Sequence, residues 1–231
     1  MEQLFTPEEW TAIDLSLKVA TVATLASLPV GIAMAMLLAR GRFPGRSLLA
    51  GIVSLPLVLP PVVTGYLLLL AFGRKGPIGA FLDQTFGLVF AFRWTGAALA
   101  SAIMGFPLMV RAIGLSIEAI DRRLEDAAAT LGAGRIVVFL SVTLPLAIPG
   151  ILAGAVLAFA RSLGEFGATI TFVSNIPGET QTIPSAIYAL IQSPDGETGA
   201  LRLTLVSIVI AIGAMLLAEW LAARFRAGER T

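Results

Sequence analysis

Cysteine and histidine are both absent from the 231 residues, and lysine occurs only as Lys18 and Lys75. Without cysteine there is no disulfide framework and no thiolate metal site. Without histidine the usual zinc ligand and the easiest proton relay near neutral pH are missing. A nucleotide-binding P-loop needs G-x-x-x-x-G-K-[ST], because its lysine must reach the β- and γ-phosphates. Val19 and Gly76 follow the two lysines, so that mode of ATP binding is excluded, and no nucleophile–base or metal-ligand cluster replaces it. Charge is scarce as well, at 13% of residues and a net +1, whereas 57% are hydrophobic and the mean hydropathy is +0.89, outside the range of a soluble domain. The start of the chain is acidic and polar (Glu2, Glu8, Glu9), so a cleaved signal peptide is not expected.

A membrane-crossing helix needs about 20 apolar residues. The sequence predicts five, over about 12–39, 47–72, 94–117, 136–160 and 201–223, so residues 1–231 read as one all-α integral membrane domain. Asp14 and Lys18, one turn apart, are placed to pair at the outer end of the first span. Arg111 in the third either reaches the interface along its own stem or faces the bundle interior. Arg40, Arg42, Arg46, Arg111, Arg122, Arg123, Arg135, Arg224, Arg226 and Arg230 fall on one side, against Arg74, Lys75 and Arg93 on the other. Retention of positive charge then predicts an outside N-terminus and a cytoplasmic C-terminus. Residues 118–135 become a cytoplasmic loop, with Glu118, Arg122 and Asp126 spaced to pair along one helix face. On the outer side, 161–199 is apolar yet interrupted by Asn175, Pro177, Gly178 and Glu179, which predicts interfacial or re-entrant pieces. Residues 76–92 read as a short amphipathic surface helix or a simple cap of the bundle.

Two patterns recur or stand out. Gly45-Arg46, eight residues, then Leu55-Pro56-Leu57-Val58-Leu59-Pro60 is echoed 89 positions later by Gly134-Arg135 and Leu144-Pro145-Leu146-Ala147-Ile148-Pro149. The echo is either chance in a leucine- and proline-rich chain or a parallel repeat whose prolines let helices bend. Gly150 and Gly154 form a G-x-x-x-G in the fourth span, a motif that permits close helix approach and a candidate homodimer face.

The loop itself carries Asp126-Ala127-Ala128, three residues ending in Leu131, then Gly132, nine further residues and Val142-x-Leu144-Pro145. Ala127, Ala128 and Ala129 favour a helix, Gly132 and Gly134 end it, and Leu131 offers an apolar plug. This stretch resembles the E-A-A-x-x-x-G-x9-I-x-L-P coupling loop of the membrane subunits of ABC importers, with Asp126 and Val142 in place of Glu and Ile. Further on, Arg161-Ser162-Leu163-Gly164-Glu165-Phe166-Gly167-Ala168 resembles the R-x-x-x-E-F-G-A stretch of permeases for molybdate, tungstate and sulfate. With Phe43–Arg46 and Thr180–Tyr188, the chain from Thr11 to Ala223 is most similar to the molybdate-type permease subunits, although the extra N-terminal span of some relatives is not expected here.

The resemblance implies a type I ABC importer-like permease of the bacterial inner (cytoplasmic) membrane, multi-pass and without catalytic residues, cofactor or metal of its own. It implies that ATP and Mg are bound by a partner ATPase, which docks on Asp126, Ala127, Ala128, Leu131, Gly132, Leu144 and Pro145. Further implied partners are a second copy of the chain, an extracytoplasmic oxyanion-binding protein and membrane lipid, with no nucleic acid. A dianion path lined by hydroxyls and backbone amides points to Pro60, Pro61, Thr64, Ser162, Gly164, Glu165, Phe166, Gly167, Thr169 and Thr171 as gate or path residues. Arg161 and Glu165 are either part of that gate or a structural ion pair. The substrate expected is molybdate, with tungstate next and sulfate or thiosulfate as the alternative. An ATP-independent secondary transporter is disfavoured because mid-span positions carry almost no ionisable groups.

Overall fold

The computed structural model of the chain describes residues 5–228, with side chains through Trp220 apart from Ala218. Glu2 and Arg230 lie outside the described residues, as do the side chains of Arg224 and Arg226. No strand occurs among the described residues. Helix α1 (Pro7–Arg40) starts earlier than the apolar run because Thr6 and Glu9 close a reciprocal capping box, with Pro7 preset at the first helical position. The second apolar stretch divides into α2 (Arg46–Val58) and α3 (Pro61–Phe72), which differ in direction by 113°. Consecutive prolines explain the break: Pro61 holds Pro60 extended, Pro60 does the same to Leu59, and neither ring nitrogen can donate to the helix. Then follow α4 (Pro77–Phe86), α5 (Trp94–Ala119) and α6 (Arg122–Thr130). A continuous rod comes next: α7 (Arg135–Val138), a π-helical turn (Phe139–Thr143) and α8 (Leu144–Leu163). Short helices α9 (Gly167–Val173) and α10 (Ile183–Leu190) precede α11 (Glu197–Gly228).

Four of these segments are long and apolar enough to cross a membrane, five if the bent α2–α3 pair counts as one span. The echoed motifs therefore end differently. The first copy meets two successive prolines and turns, whereas the second meets Pro149 alone and α8 runs on to Leu163.

Helix α5 is the centre. Half of its most apolar window is buried, against 17% for the α7–α8 rod and 11% for α11. Lipid tails are as apolar as leucine, so helices associate through close packing at small residues. A side chain added at Gly105 on α5 would press on the Ala158 backbone of α8; at Gly150 it would meet Ser116, and at Gly154 the Met109 carbonyl and Ile113. The G-x-x-x-G face is thus occupied within the chain by α5, which corrects its reading as a homodimer face. Around this axis α1 and α8 bury Ala35, Met109, Ile113, Ile117 and Ala147 at one end.

At the other end α9 is buried between α3 and α5, with Ala168, Phe172 and Val173 fully enclosed. Helix α9 is therefore surrounded by protein, whereas residues 176–179 of the irregular stretch after it are exposed. Ile183 N–H donates to Ser16 Oγ at 2.7 Å, tying α10 to α1, and Arg202 at the start of α11 reaches Glu9 at 2.7 Å. Lys18 does not pair with Asp14; its ammonium lies 3.9 Å from the centroid of the Trp94 ring, an alternative partner for a cation.

The crossing of α3 on α9 is close as well: a Cβ at Gly65 would stand 2.9 Å from the Ala168 Cα. Gly65→Ala is expected to destabilise the purified protein by roughly 1–3 kcal/mol as an overpacking change. Gly51→Ala, inside α2 with open space around its Cβ position, is expected not to lower Tm in the same thermal melt.

Candidate functional site

At the end of the bundle where α1 stops and α2 begins, α5 breaks at Ile120, whose extended backbone turns the chain aside. Asp121 then caps α6 by accepting from Arg123 N–H at 3.0 Å. The break separates Glu118 from the loop helix. Glu118 pairs with Arg46 at 3.8 Å, which corrects the expected Glu118–Arg122–Asp126 ladder. Helix α6 stops in a Schellman motif: Ala133 N–H donates to Ala128 O, Gly132 N–H to Ala129 O, and Gly132 takes φ +87°. Only a glycine adopts that backbone without strain.

No residue of α6 is buried. Asp126, Ala127 and Ala129 are exposed, Ala128 is half-buried, and Leu131 is 89% exposed. The helix is held by one side chain that the sequence reading passed over. Glu125 lies 3.4 Å from Arg40 Nε at the end of α1 and accepts from Thr143 Oγ1 at 2.8 Å, while Arg40 also donates to the Ile120 carbonyl at 3.0 Å. A helical wheel begun at Asp121 carries the signal: Glu125 and Ala128 share the inward face, and Asp126 sits about 100° away, facing outward. The π-helical turn ends on Thr143 and buries its hydroxyl against this carboxylate, the sort of place where such turns recur. Leu144 is half-buried and Pro145 exposed just beyond it.

At the opposite end of the same rod, Glu165 is almost fully buried and both oxygens are engaged. Oε2 meets Arg161 Nη1 at 2.7 Å, and Oε1 accepts from Ala168 N–H at 2.8 Å. The carboxylate joins the last turn of α8 to the N-terminus of α9, where a negative charge is favoured. Gly164 is the exposed residue at which α8 stops. Gly167 packs so closely that a Cβ would press on Pro61, and the Phe166 ring lies 5.0 Å from that of Tyr188.

The hydroxyls expected along a path are mostly turned inward in this conformation. Ser162 donates to Ser101 O at 3.4 Å, Thr169 to Phe166 O at 2.8 Å, and Thr171, half-buried, to Gly167 O at 2.8 Å. Thr64 is buried and its hydroxyl has no partner. Pro60 and Pro61 are exposed at the α2–α3 bend. No group of three acidic, histidine or cysteine side chains placed to hold a metal occurs among the described residues.

Residues 27–227 match the family described as the binding-protein-dependent transport system inner membrane component. The chain belongs to that family. It is accordingly an inner-membrane permease component of ABC transporters. The molybdenum transport system permease protein ModB of Escherichia coli (strain K12) is 62% identical over 228 residues, covering 98% of this chain and 100% of that protein. The sulfate transport system permease protein CysT of Salmonella typhimurium is 36% identical, over 97% of this chain and 79% of that one. In three dimensions the chain superposes on a bacterial alginate ABC transporter, crystallised with an alginate pentasaccharide-bound periplasmic protein, with a TM-score of 0.74 at 20% identity, covering 95% and 80% of the two chains. The fold is that of the type I ABC importer permeases.

Removing Arg40 leaves Glu125 with only the Thr143 hydroxyl. Arg40→Ala is expected to cost roughly 1–3 kcal/mol, between the value of an exposed pair and a buried one. Hydrogen exchange should show the loss as faster exchange concentrated in residues 122–130; uniform loss of protection would contradict a local tether.

Proposed function

We propose that the chain is the membrane-spanning subunit of an importer that moves molybdate into the cytoplasm, with tungstate as the second candidate substrate. The observation that carries this reading is the 62% identity to ModB along essentially the whole of both chains. Sulfate is the runner-up on the strength of the 36% identical CysT; competition of molybdate, tungstate and sulfate for uptake by the reconstituted importer decides between them.

The chain offers no P-loop lysine, so ATP and Mg belong to a separate ATPase subunit that docks on α6. Several features suit this helix to docking: small side chains that admit a close surface, an exposed Leu131, and a base fixed by Glu125 to Arg40 and Thr143. The basic residues near α6 agree with a cytoplasmic position for this end. Two copies enclose the path, because the bent α2–α3 pair leaves apolar surface such as Val58, Val62 and Tyr66 uncovered. An extracytoplasmic oxyanion-binding protein delivers the anion to the α9–α10 end. Closure of the ATPases on nucleotide pulls the two α6 helices together. The α7–α8 rod carries that displacement to Glu165, where α8 meets α9.

Gly132→Trp and Asp126→Lys are expected to abolish ATP-driven uptake in proteoliposomes and to detach or uncouple the ATPase while the spans stay inserted. Normal uptake by an intact complex would refute the docking assignment, and oxyanion uptake by this chain without any ATPase would refute the importer reading. Glu165→Gln is expected to slow uptake with the complex still assembled; an unchanged rate makes Glu165 a structural tie alone.

A further inference from the structure

Between α1, α2 and α5, near the α6 end, lies a cavity of about 240 Å³ lined by Arg46, Ser54, Arg111 and Glu118 among apolar neighbours. Arg111 and Glu118 are seven residues apart on α5, two turns along one face. Arg46 opens α2 and pairs with Glu118 at 3.8 Å, both side chains about half exposed. Among the described residues Arg111 has no hydrogen-bond or ion-pair partner. With two arginines and one carboxylate, the cavity carries a single uncompensated positive charge. Arg111 stands eight residues before the end of α5, about 12 Å along the helix, inside a segment apolar enough to span the membrane. A charge there carries a functional expectation by default.

We infer that this cleft is a dwelling site for the transported tetrahedral oxyanion on the cytoplasmic half of its route, with Arg111 as its principal ligand. The inference rests on the importer reading above. Guanidinium presents a planar fork of donors that matches two oxygens of a tetrahedral dianion, and Ser54 adds a hydroxyl from the facing helix. Glu118 holds Arg46 aside and limits the net attraction, so the anion is held weakly enough to leave. A phosphodiester headgroup has the same oxygen geometry. It has a place for its tail as well, since a cavity of about 600 Å³ lined by Val22, Val30, Ile52 and Phe106 lies between the same helices and offers no charged group.

The chain has no cysteine, so Ser54→Cys puts a single thiol in the cleft. In the complete importer reconstituted in phosphatidylcholine nanodiscs, molybdate is expected to slow alkylation of that thiol by a charged reagent about threefold or more, and Arg111→Gln to remove the protection. Protection that requires phosphatidylglycerol and ignores molybdate assigns the cleft to lipid phosphate and overturns the inference, as does no protection by either. Arg111→Gln is further expected to lower molybdate uptake about tenfold, with Arg111→Lys retaining more because it keeps the charge but not the fork. Wild-type importer without molybdate uptake would defeat the proposed function itself, whereas wild-type uptake equalled by Arg111→Gln defeats the dwelling site alone.

Discussion

Close approach of helix backbones to α5 is the constraint on which the remaining structure depends. In lipid there is little hydrophobic gain from pressing one apolar helix on another, so contact distance decides the association. Gly105, Gly150 and Gly154 set that distance: each stands where a Cβ would press on the facing helix. Because α8 and α1 lie tight against α5, their ends are fixed in space. Arg40 at the end of α1 can then reach both the Ile120 carbonyl, where α5 stops, and Glu125 on the helix that follows. The surface helix α6 contributes no buried residue of its own and owes its position to this scaffold.

Much of this was legible from residue types. Five apolar stretches, the loop helix, its glycine stop and the fragmentary 161–199 region follow from hydropathy and from glycine and proline placement, each of which acts locally. Errors arose where a partner distant in sequence won. Lys18 left Asp14 for the Trp94 ring, Glu118 left Arg122 for Arg46, and the glycines of α8 packed inside the chain. Spacing along one helix names the neighbours a residue has if nothing else approaches. It is silent on residues brought in from some eighty positions away, as Ile120 is to Arg40. The 113° turn at Pro60-Pro61 was half legible: two prolines announce a break, but its angle is set by the packing of α3 on α9.

Glu125 and Asp126 illustrate the same limit at the site. The two carboxylates are adjacent and chemically alike, yet one turns inward to an arginine and a threonine while the other meets solvent. A motif read as a string weighs Asp126, because that residue falls in the patterned position. Physical placement weighs Glu125, because helix phase from the Asp121 cap decides which carboxylate faces the bundle. The two placements are complementary: one residue anchors the helix, and the other is exposed on its outward face.

The rod from Arg135 to Leu163 joins these two ends. It receives α6 through Thr143 and holds α9 through Arg161 and Glu165, about 27 Å apart by helical rise between Thr143 and Arg161. A continuous helix transmits displacement along its length with little loss, since its hydrogen bonds resist stretching. It tolerates rotation where a π-helical turn has already widened it. The rod is therefore stiff between its two polar contacts and adjustable just beside the first of them. Both contacts are single carboxylates meeting donors from two elements, so a small movement at either one strains a charged interaction. Apolar packing of the same area would absorb such a movement. That contrast is a physical reason for charge to appear at the two ends of the rod and nowhere between them.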